Sequence, residues 1–309
     1  MKSFNTCCLL AAVALITNTS VAQYTRTINT NTPGRSQGAF SVGTMVLQGE
    51  TSAFYRTEEH ELQMYERDVL GLSYQLRFGA FLEELEFSYI GEFSSATETQ
   101  LSGTGNVERS FANLSRSTLG AKYMVFDPIK KWGEKEVNIR SWKANQKFRW
   151  RDLIPAVSVY AGANLFFSEP NSFTPPDNPS VSPRVELITQ NNYGRWVLVT
   201  NIIADMLGSD FSSYQGIATI THSFNNRYAG FIEFQTIIGD FYSDELLRAG
   251  GAMLLNRNWQ IDAGITTNFK DTPTVFQINL GMSYRLDWHK DKIVESDNLD
   301  DEGPNIPYQ

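Results

Sequence analysis

The stretch "VFQINLGMSYRLD", residues 275–287, places Phe276, Ile278, Leu280, Met282, Tyr284 and Leu286 on one side of an extended chain. Gln277, Asn279, Gly281, Ser283, Arg285 and Asp287 fall on the other. Successive strand side chains point to opposite faces, so one strand carries an oily face and a polar face. The period recurs. "VLGLSYQLRF" sets Leu70, Leu72, Tyr74, Leu76 and Phe78 against Gly71, Ser73, Gln75 and Arg77. "LEFSYIGEF" sets Leu85, Phe87, Tyr89 and Phe93 against Glu86, Ser88 and Glu92. "LGAKYMVF", "VSVYAGANLFF" and "WQIDAGITTNF" repeat the pattern. Less regular strands are expected near 38–55, 182–193, 195–207, 212–224, 228–241 and 244–256.

A half-buried strand of a soluble sheet also alternates. These segments run roughly 11–15 residues, whereas ordinary strands have about 5–6. Their polar faces are small in mid-strand and poor in lysine. A tilted membrane-crossing strand needs about 9–11 residues in the hydrocarbon. In lipid an open sheet edge would strand backbone hydrogen-bonding groups, so the sheet must close. The expected fold is all-β: a transmembrane antiparallel up-and-down β-barrel of about twelve strands, of bacterial outer-membrane type.

The connections agree by alternating in length. Short Asn/Gly turns are read at Gly79–Leu82, Asn191–Gly194, Asn225–Arg227 and Asn256–Asn258, and longer polar loops near 95–113, 169–182 and 208–213. With the first strand rising from the periplasm, every short turn falls on the periplasmic side and the long loops face outward. Aromatics gather at predicted strand ends: Tyr55, Phe78, Phe93, Phe126, Trp150, Phe167, Trp196, Phe241, Tyr242, Trp259, Phe269 and Trp288. Such belts sit at lipid–water boundaries.

The flanks set the compartment. Lys2, the apolar run Cys7–Ile16 and Ser20-Val21-Ala22 before Gln23 form a secretory signal over residues 1–22. Both cysteines lie inside it, which leaves the exported chain without disulfide or thiolate metal site. With Lys2 gone, 25 basic side chains face 34 acidic ones, a net charge of −9 that argues against nucleic acid as a partner. Residues 23–37 read as a periplasmic N-terminal segment, 38–287 as the barrel and 288–309 as an acidic periplasmic tail.

The strands "LGLSYQLRFGAFLEELEFSY" and "LGAKYMVFD", the opening "TNTPGRSQGAFSVGTMVLQGE" and the close "INLGMSYRLD" together resemble one known group. It is the outer-membrane transporter family named for the meta-pathway of phenol degradation, with fatty-acid-transporter-like barrels as more distant relatives. The resemblance covers Thr30 to Asp287 and implies an outer-membrane barrel that passes small, often apolar, molecules. It implies no active-site residues. The segment 128–151 and the acidic tail depart from the pattern. Within the last strand, Asn279, Gly281, Tyr284 and Leu286 resemble the signal by which the assembly machinery recognises outer-membrane proteins.

The charged inward positions are the candidate pore lining: Arg77, Glu84, Glu86, Glu92, Lys122, Arg248, Asp262 and Arg285. A two-residue turn at Ala80-Phe81 would set Arg77 opposite Glu84 and Gln75 opposite Glu86. Such charges either line a selective pore or pair to fill a narrow barrel, and both readings stay open. No catalytic residue is assigned. His222 and Ser223 are adjacent and point to opposite faces, which defeats a nucleophile–base pair. No cluster supports a metal, and passive diffusion needs no cofactor.

Two flanking segments oppose each other in charge. The expected periplasmic insert 128–151, with Trp132, Trp142 and Trp150, carries +6, and the tail 288–309 carries −4. The expected partners are outer-membrane lipids, the assembly machinery, an unnamed small solute, and a periplasmic protein met through 128–151 and 288–309. The first functional expectation is a passive channel for small molecules, hydrophobic or aromatic ones among them. The alternative is a non-conducting accessory or scaffold barrel of a periplasm-facing assembly.

Overall fold

The computed structural model describes residues 27–102, 105–133, 139–140, 150–167, 171–173 and 178–288. The signal sequence, most of the basic insert and the acidic tail lie outside the described residues. Among the described residues the strands are β1 (Val46–His60), β2 (Tyr65–Gly79), β3 (Leu85–Gln100), β4 (Val107–Phe126), β5 (Ala156–Leu165) and β6 (Val181–Tyr193). They continue as β7 (Trp196–Asp205), β8 (Ser213–Ser223), β9 (Tyr228–Gly239), β10 (Asp244–Leu254), β11 (Trp259–Asn268) and β12 (Thr274–Asp287). Each pairs antiparallel with its neighbours in the chain, and β1 pairs with β12 from Val46↔Asp287 to Glu59↔Thr274. The sheet therefore closes as a twelve-strand barrel, which is the solution that satisfies every strand edge in lipid.

The alternation read in the sequence sets the two faces. Leu70, Ile202, Ile232, Leu280 and Ile265 are exposed on the outside. Gln48, Glu50, Ser52, Gln75, Arg77 and Ser94 are buried within. Rings stack outside at the periplasmic strand ends, Trp259 on Tyr284 at 4.3 Å and Trp196 on His222 at 4.1 Å. A charge on the outer face must be tested by depth. Leu280→Arg, in mid-strand, is expected to cost about 2–4 kcal/mol of folding stability in phospholipid vesicles. Leu286→Arg, near the periplasmic end, should cost about 0–1 kcal/mol. Reversible urea unfolding reads both, and equal losses would place the membrane elsewhere on the barrel.

Several boundaries differ from the sequence reading. The loop expected at 95–113 is mostly strand, because β3 runs to Gln100 and β4 starts at Val107. Their Ser, Thr and Glu pairs, Thr97↔Ser110 and Glu98↔Arg109 among them, suit a sheet that continues into water. The turn at Ala80-Phe81 is longer than two residues, since Arg77 pairs with Ser88 and Gly79 with Glu86. Residues 38–45 are not strand; β1 begins at Val46.

The largest difference is the segment 27–45. From the sequence, residues 23–37 are expected in the periplasm, but residues 28–42 re-enter the barrel from that end. Ile28 N donates to Arg257 O in the β10–β11 turn at 2.9 Å, and the chain then climbs the lumen and returns. It leaves through Gly43 (φ 95°) and Met45 (φ 58°), which turn it into β1. Gly79 admits that turn. A Cβ there would lie 1.7 Å from the Gly43 carbonyl oxygen, so this crossing requires glycine. The residues Thr30-Asn31-Thr32-Pro33-Gly34-Arg35-Ser36 are small and polar, and their amides find acceptors on the wall, as buried amides must.

Candidate functional site

The lumen is layered. At the outer end Phe54, Val69 and Ala96 form a buried apolar cluster with Phe111 and Phe173. Phe173 reaches it from the β5–β6 loop, with its ring 5.0 Å from that of Phe111. Asn171 of that loop donates to Leu114 O at 2.8 Å, which holds the loop over the mouth. Phe54 fits because Gly71 lacks a Cβ, whose position would fall 2.2 Å from the Phe54 ring.

Beneath this layer lies a cavity of about 420 Å³. Its ionisable lining is Arg35, Arg116, Arg184 and Arg248 with Glu50, Glu92 and Asp205. Ile203, Ile217, Ile237 and Leu246 make an aliphatic wall. A second cavity of about 270 Å³ opens on the periplasmic half, lined by Val197, Val199, Thr219, Thr221 and Phe231 among others. Asn31, Thr32, Pro33 and Gly34 border both cavities. The re-entrant segment is thus the partition between them.

Wall glutamates hold the partition. Glu50 accepts from Asn31 N at 2.9 Å and Thr32 N at 3.1 Å. Glu233 accepts from Arg35 N at 3.0 Å and Ser36 N at 3.1 Å, and is ion-paired to Arg248 at 2.9 Å. Glu186 takes Gln37 Nε2 at 3.0 Å, and Glu86 takes Val42 N at 2.9 Å. Arg35, the only cation in the segment between residues 27 and 45, pairs with Glu92 at 2.9 Å. Asn201 and Gln190 accept from Gln37 N and Ala39 N, at 2.8 and 2.9 Å. Ala39 also packs on Ala156, Tyr160 and Ile188.

The sequence-predicted lining divides among these layers. Arg77, Glu86 and Lys122 form one buried network. Arg77 grips Glu86 at 2.9 and 3.0 Å and reaches Glu50 at 3.1 Å. Lys122 pairs with Glu86 at 3.1 Å and donates to Gly38 O and Phe40 O at 2.8 and 3.0 Å. These three side chains clasp the segment rather than border the outer cavity. Glu92 and Arg248 do line that cavity. Asp262 accepts from Thr32 Oγ1 at 3.0 Å. Arg285 is buried and pairs with Asp287 at 3.3 Å. Glu84 is a correction: it sits in the β2–β3 connection and pairs with Lys130 at 2.6 Å, outside the lumen. The five-residue connection shifts it past the strand end, so it meets the short helix α1 (Pro128–Trp132) and not Arg77.

Of the assembly-signal positions, Asn279 faces the outer cavity and Gly281 leaves room for Asp262, which a Cβ would meet at 2.2 Å. Tyr284 stacks on Trp259 and Leu286 is exposed. His222 stacks between Trp196 and Phe224 and has no serine partner.

The sequence reading missed Glu50, Arg116, Arg184, Glu186 and Glu233, all of which line or close the lumen. The signal was present for Glu233. "FIEFQ" alternates Phe231, Glu233 and Gln235 against Ile232 and Phe234 as the regular strands do.

A closed barrel with an oily exterior, a charged interior and a segment folded into its lumen defines an integral outer-membrane protein. Residues 30–286 match the model of the family described as "MetA-pathway of phenol degradation", and the chain belongs to that family. The protein resides in the bacterial outer membrane. Among solved structures it is similar to an outer membrane channel from Pseudomonas putida F1, with a TM-score of 0.52 at 9% identity over 84% of this chain and 100% of that one. The toluene transporter TodX of the same species aligns with a TM-score of 0.42 at 10% identity, covering 78% of this chain and 88% of that one. The transport unit of the Escherichia coli autotransporter AIDA-I gives 0.47 at 7% identity, covering 89% and 97%. At these identities the first likeness shows the fold, and the lower scores carry no argument. No curated protein matches the chain.

Proposed function

We propose that the protein is a passive outer-membrane channel for small molecules, closed by its own re-entrant segment. The observation that carries this reading is the pair of cavities, about 420 and 270 Å³, both bordered by Asn31, Thr32, Pro33 and Gly34 of the segment. A barrel built only as a scaffold has no need of two hollow compartments along its axis. The segment is held by hydrogen bonds and ion pairs rather than by a large apolar interface, which suits a partition that leaves and returns. Most of these bonds end on a charged side chain and contribute about 1.5–3 kcal/mol each, so the hold is shared among many separate contacts.

Planar bilayers test the reading. The refolded mature protein is expected to show brief discrete conductance steps, and a variant lacking residues 27–42 should show longer ones. Silence from both, in protein shown to be folded by its resistance to urea, would leave the filled scaffold barrel as the better reading.

A further inference from the structure

Four arginines line the outer cavity. Three are matched: Arg35 to Glu92, Arg248 to Glu233, and Arg184 to Asp205 and Glu186. Arg116 on β4 has no ion pair and no hydrogen bond from its guanidinium among the described residues. It stands directly opposite Glu92 in the β3–β4 register. Yet Glu92 Oε2 is taken by Arg35 at 2.9 Å, and Oε1 accepts from Ser115 Oγ at 3.2 Å. Asp205 is committed in the same way. Its Oδ1 accepts from Asn164 Nδ2 at 2.7 Å and Met206 N at 3.0 Å, and its Oδ2 holds Arg184. The carboxylates of Glu92 and Asp205 are thus both spent on other donors.

We infer that Arg116 is the anchor of a subsite for small apolar monocarboxylates, a class in which one carboxylate sits on an aromatic or short aliphatic body. The inference rests on the channel reading for its purpose and on this cavity for its chemistry. A guanidinium presents a planar fork that a carboxylate matches with two parallel hydrogen bonds. Arg116 borders the cavity without a protein partner among the described residues, so its fork is open to an anion from that side. Glu92 and Asp205 stand beside the same fork, so a single carboxylate meets less repulsion there than a dianion would. Across the cavity, Ile203, Ile217, Ile237 and Leu246 offer an apolar surface for the body of the ligand. The cavity, about 420 Å³, falls among volumes that enclose a small organic ligand.

Benzoate and its neutral isostere benzyl alcohol are the probes, titrated calorimetrically into the detergent-solubilised full chain. Benzoate is expected to bind, and Arg116→Gln to weaken it by about 10- to 100-fold, the worth of a hydrogen-bonded charge. Arg116→Lys should recover part of that loss, and binding of benzyl alcohol should not change. Urea resistance of the Arg116→Gln protein should match that of the parent, because no ion pair is broken. Benzoate binding no tighter than benzyl alcohol, or an Arg116→Gln protein that binds benzoate as the parent does, would overturn the subsite. Conductance measured alongside separates the two ideas. Arg116-dependent binding by a silent barrel keeps the subsite and fails the channel, whereas conducting protein indifferent to benzoate does the reverse.

Discussion

A disulfide between Ser36→Cys and Thr219→Cys is expected to lock the channel shut, and dithiothreitol to release it. The hydroxyls of Ser36 and Thr219 lie 2.8 Å apart, inside hydrogen-bond distance and close enough for two sulfurs to bond after small adjustment. Both residues are buried, one on the segment and one on β8. The sequence has two other cysteines, Cys7 and Cys8, so a protein begun at Gln23 carries this cross-link alone. The bond tethers the segment at its apex, beside the Arg35 and Ser36 amides that Glu233 already holds. A disulfide is worth typically about 2–4 kcal/mol, and each 1.4 kcal/mol is tenfold in a population. Open time of the oxidised protein should therefore fall at least about tenfold, and return on reduction. Bilayer recordings of one preparation before and after reductant, with the bond verified by mass, give the answer. Equal open times in both forms would mean that the segment does not gate the barrel.

Removing the Glu86 carboxylate is expected to produce the largest loss of stability of any single change on the inner wall. Glu86 binds Arg77 through both oxygens, receives Lys122 at 3.1 Å and accepts from Val42 N at 2.9 Å, with its side chain fully buried. Glu86→Ala leaves Lys122 without its counter-charge and Arg77 with Glu50 alone. Breaking a buried pair from one side costs about 3–5 kcal/mol, most of it from the charge left behind. Glu84→Ala breaks a pair too, but one whose side chains are 23% and 22% exposed. Water screens that pair, and the expected cost is below about 1 kcal/mol. Equilibrium unfolding in urea from vesicles compares the two directly. Similar losses would show that the Arg77–Glu86–Lys122 network does not carry the inner wall.

That contrast also marks how far the sequence could be read. Glu84 and Glu86 are two residues apart, so strand periodicity gives them the same face. Only the length of the β2–β3 connection separates them, and turn length is not written in alternation. The barrel itself was legible, because closure and span follow from period two repeated over long segments. The charged residues at 77, 86, 92, 122, 248, 262 and 285 were legible as inward for the same reason. The re-entrant segment was not. Its residues Thr30 to Gly38 carry no periodic signal, and a small polar run reads equally well as a solvated tail. What places it inside is an accounting across distant strands. Glu50 and Glu233 need donors that the wall supplies only in part, and the segment's backbone amides supply the others. No window along the chain contains both halves of that account.

Glu92 is bonded to Arg35 and stands opposite Arg116 in the β3–β4 register. While Arg35 holds it, Arg116 across the strand pair stays open to an outside carboxylate. Withdrawal of the segment takes Arg35 away, and Glu92 can then turn to Arg116 and displace whatever it carries. Capture and discharge of the solute would be two positions of a single exchange of partners. By linkage, a solute seated on Arg116 would in turn favour the inserted segment, so that an occupied cavity closes behind its guest.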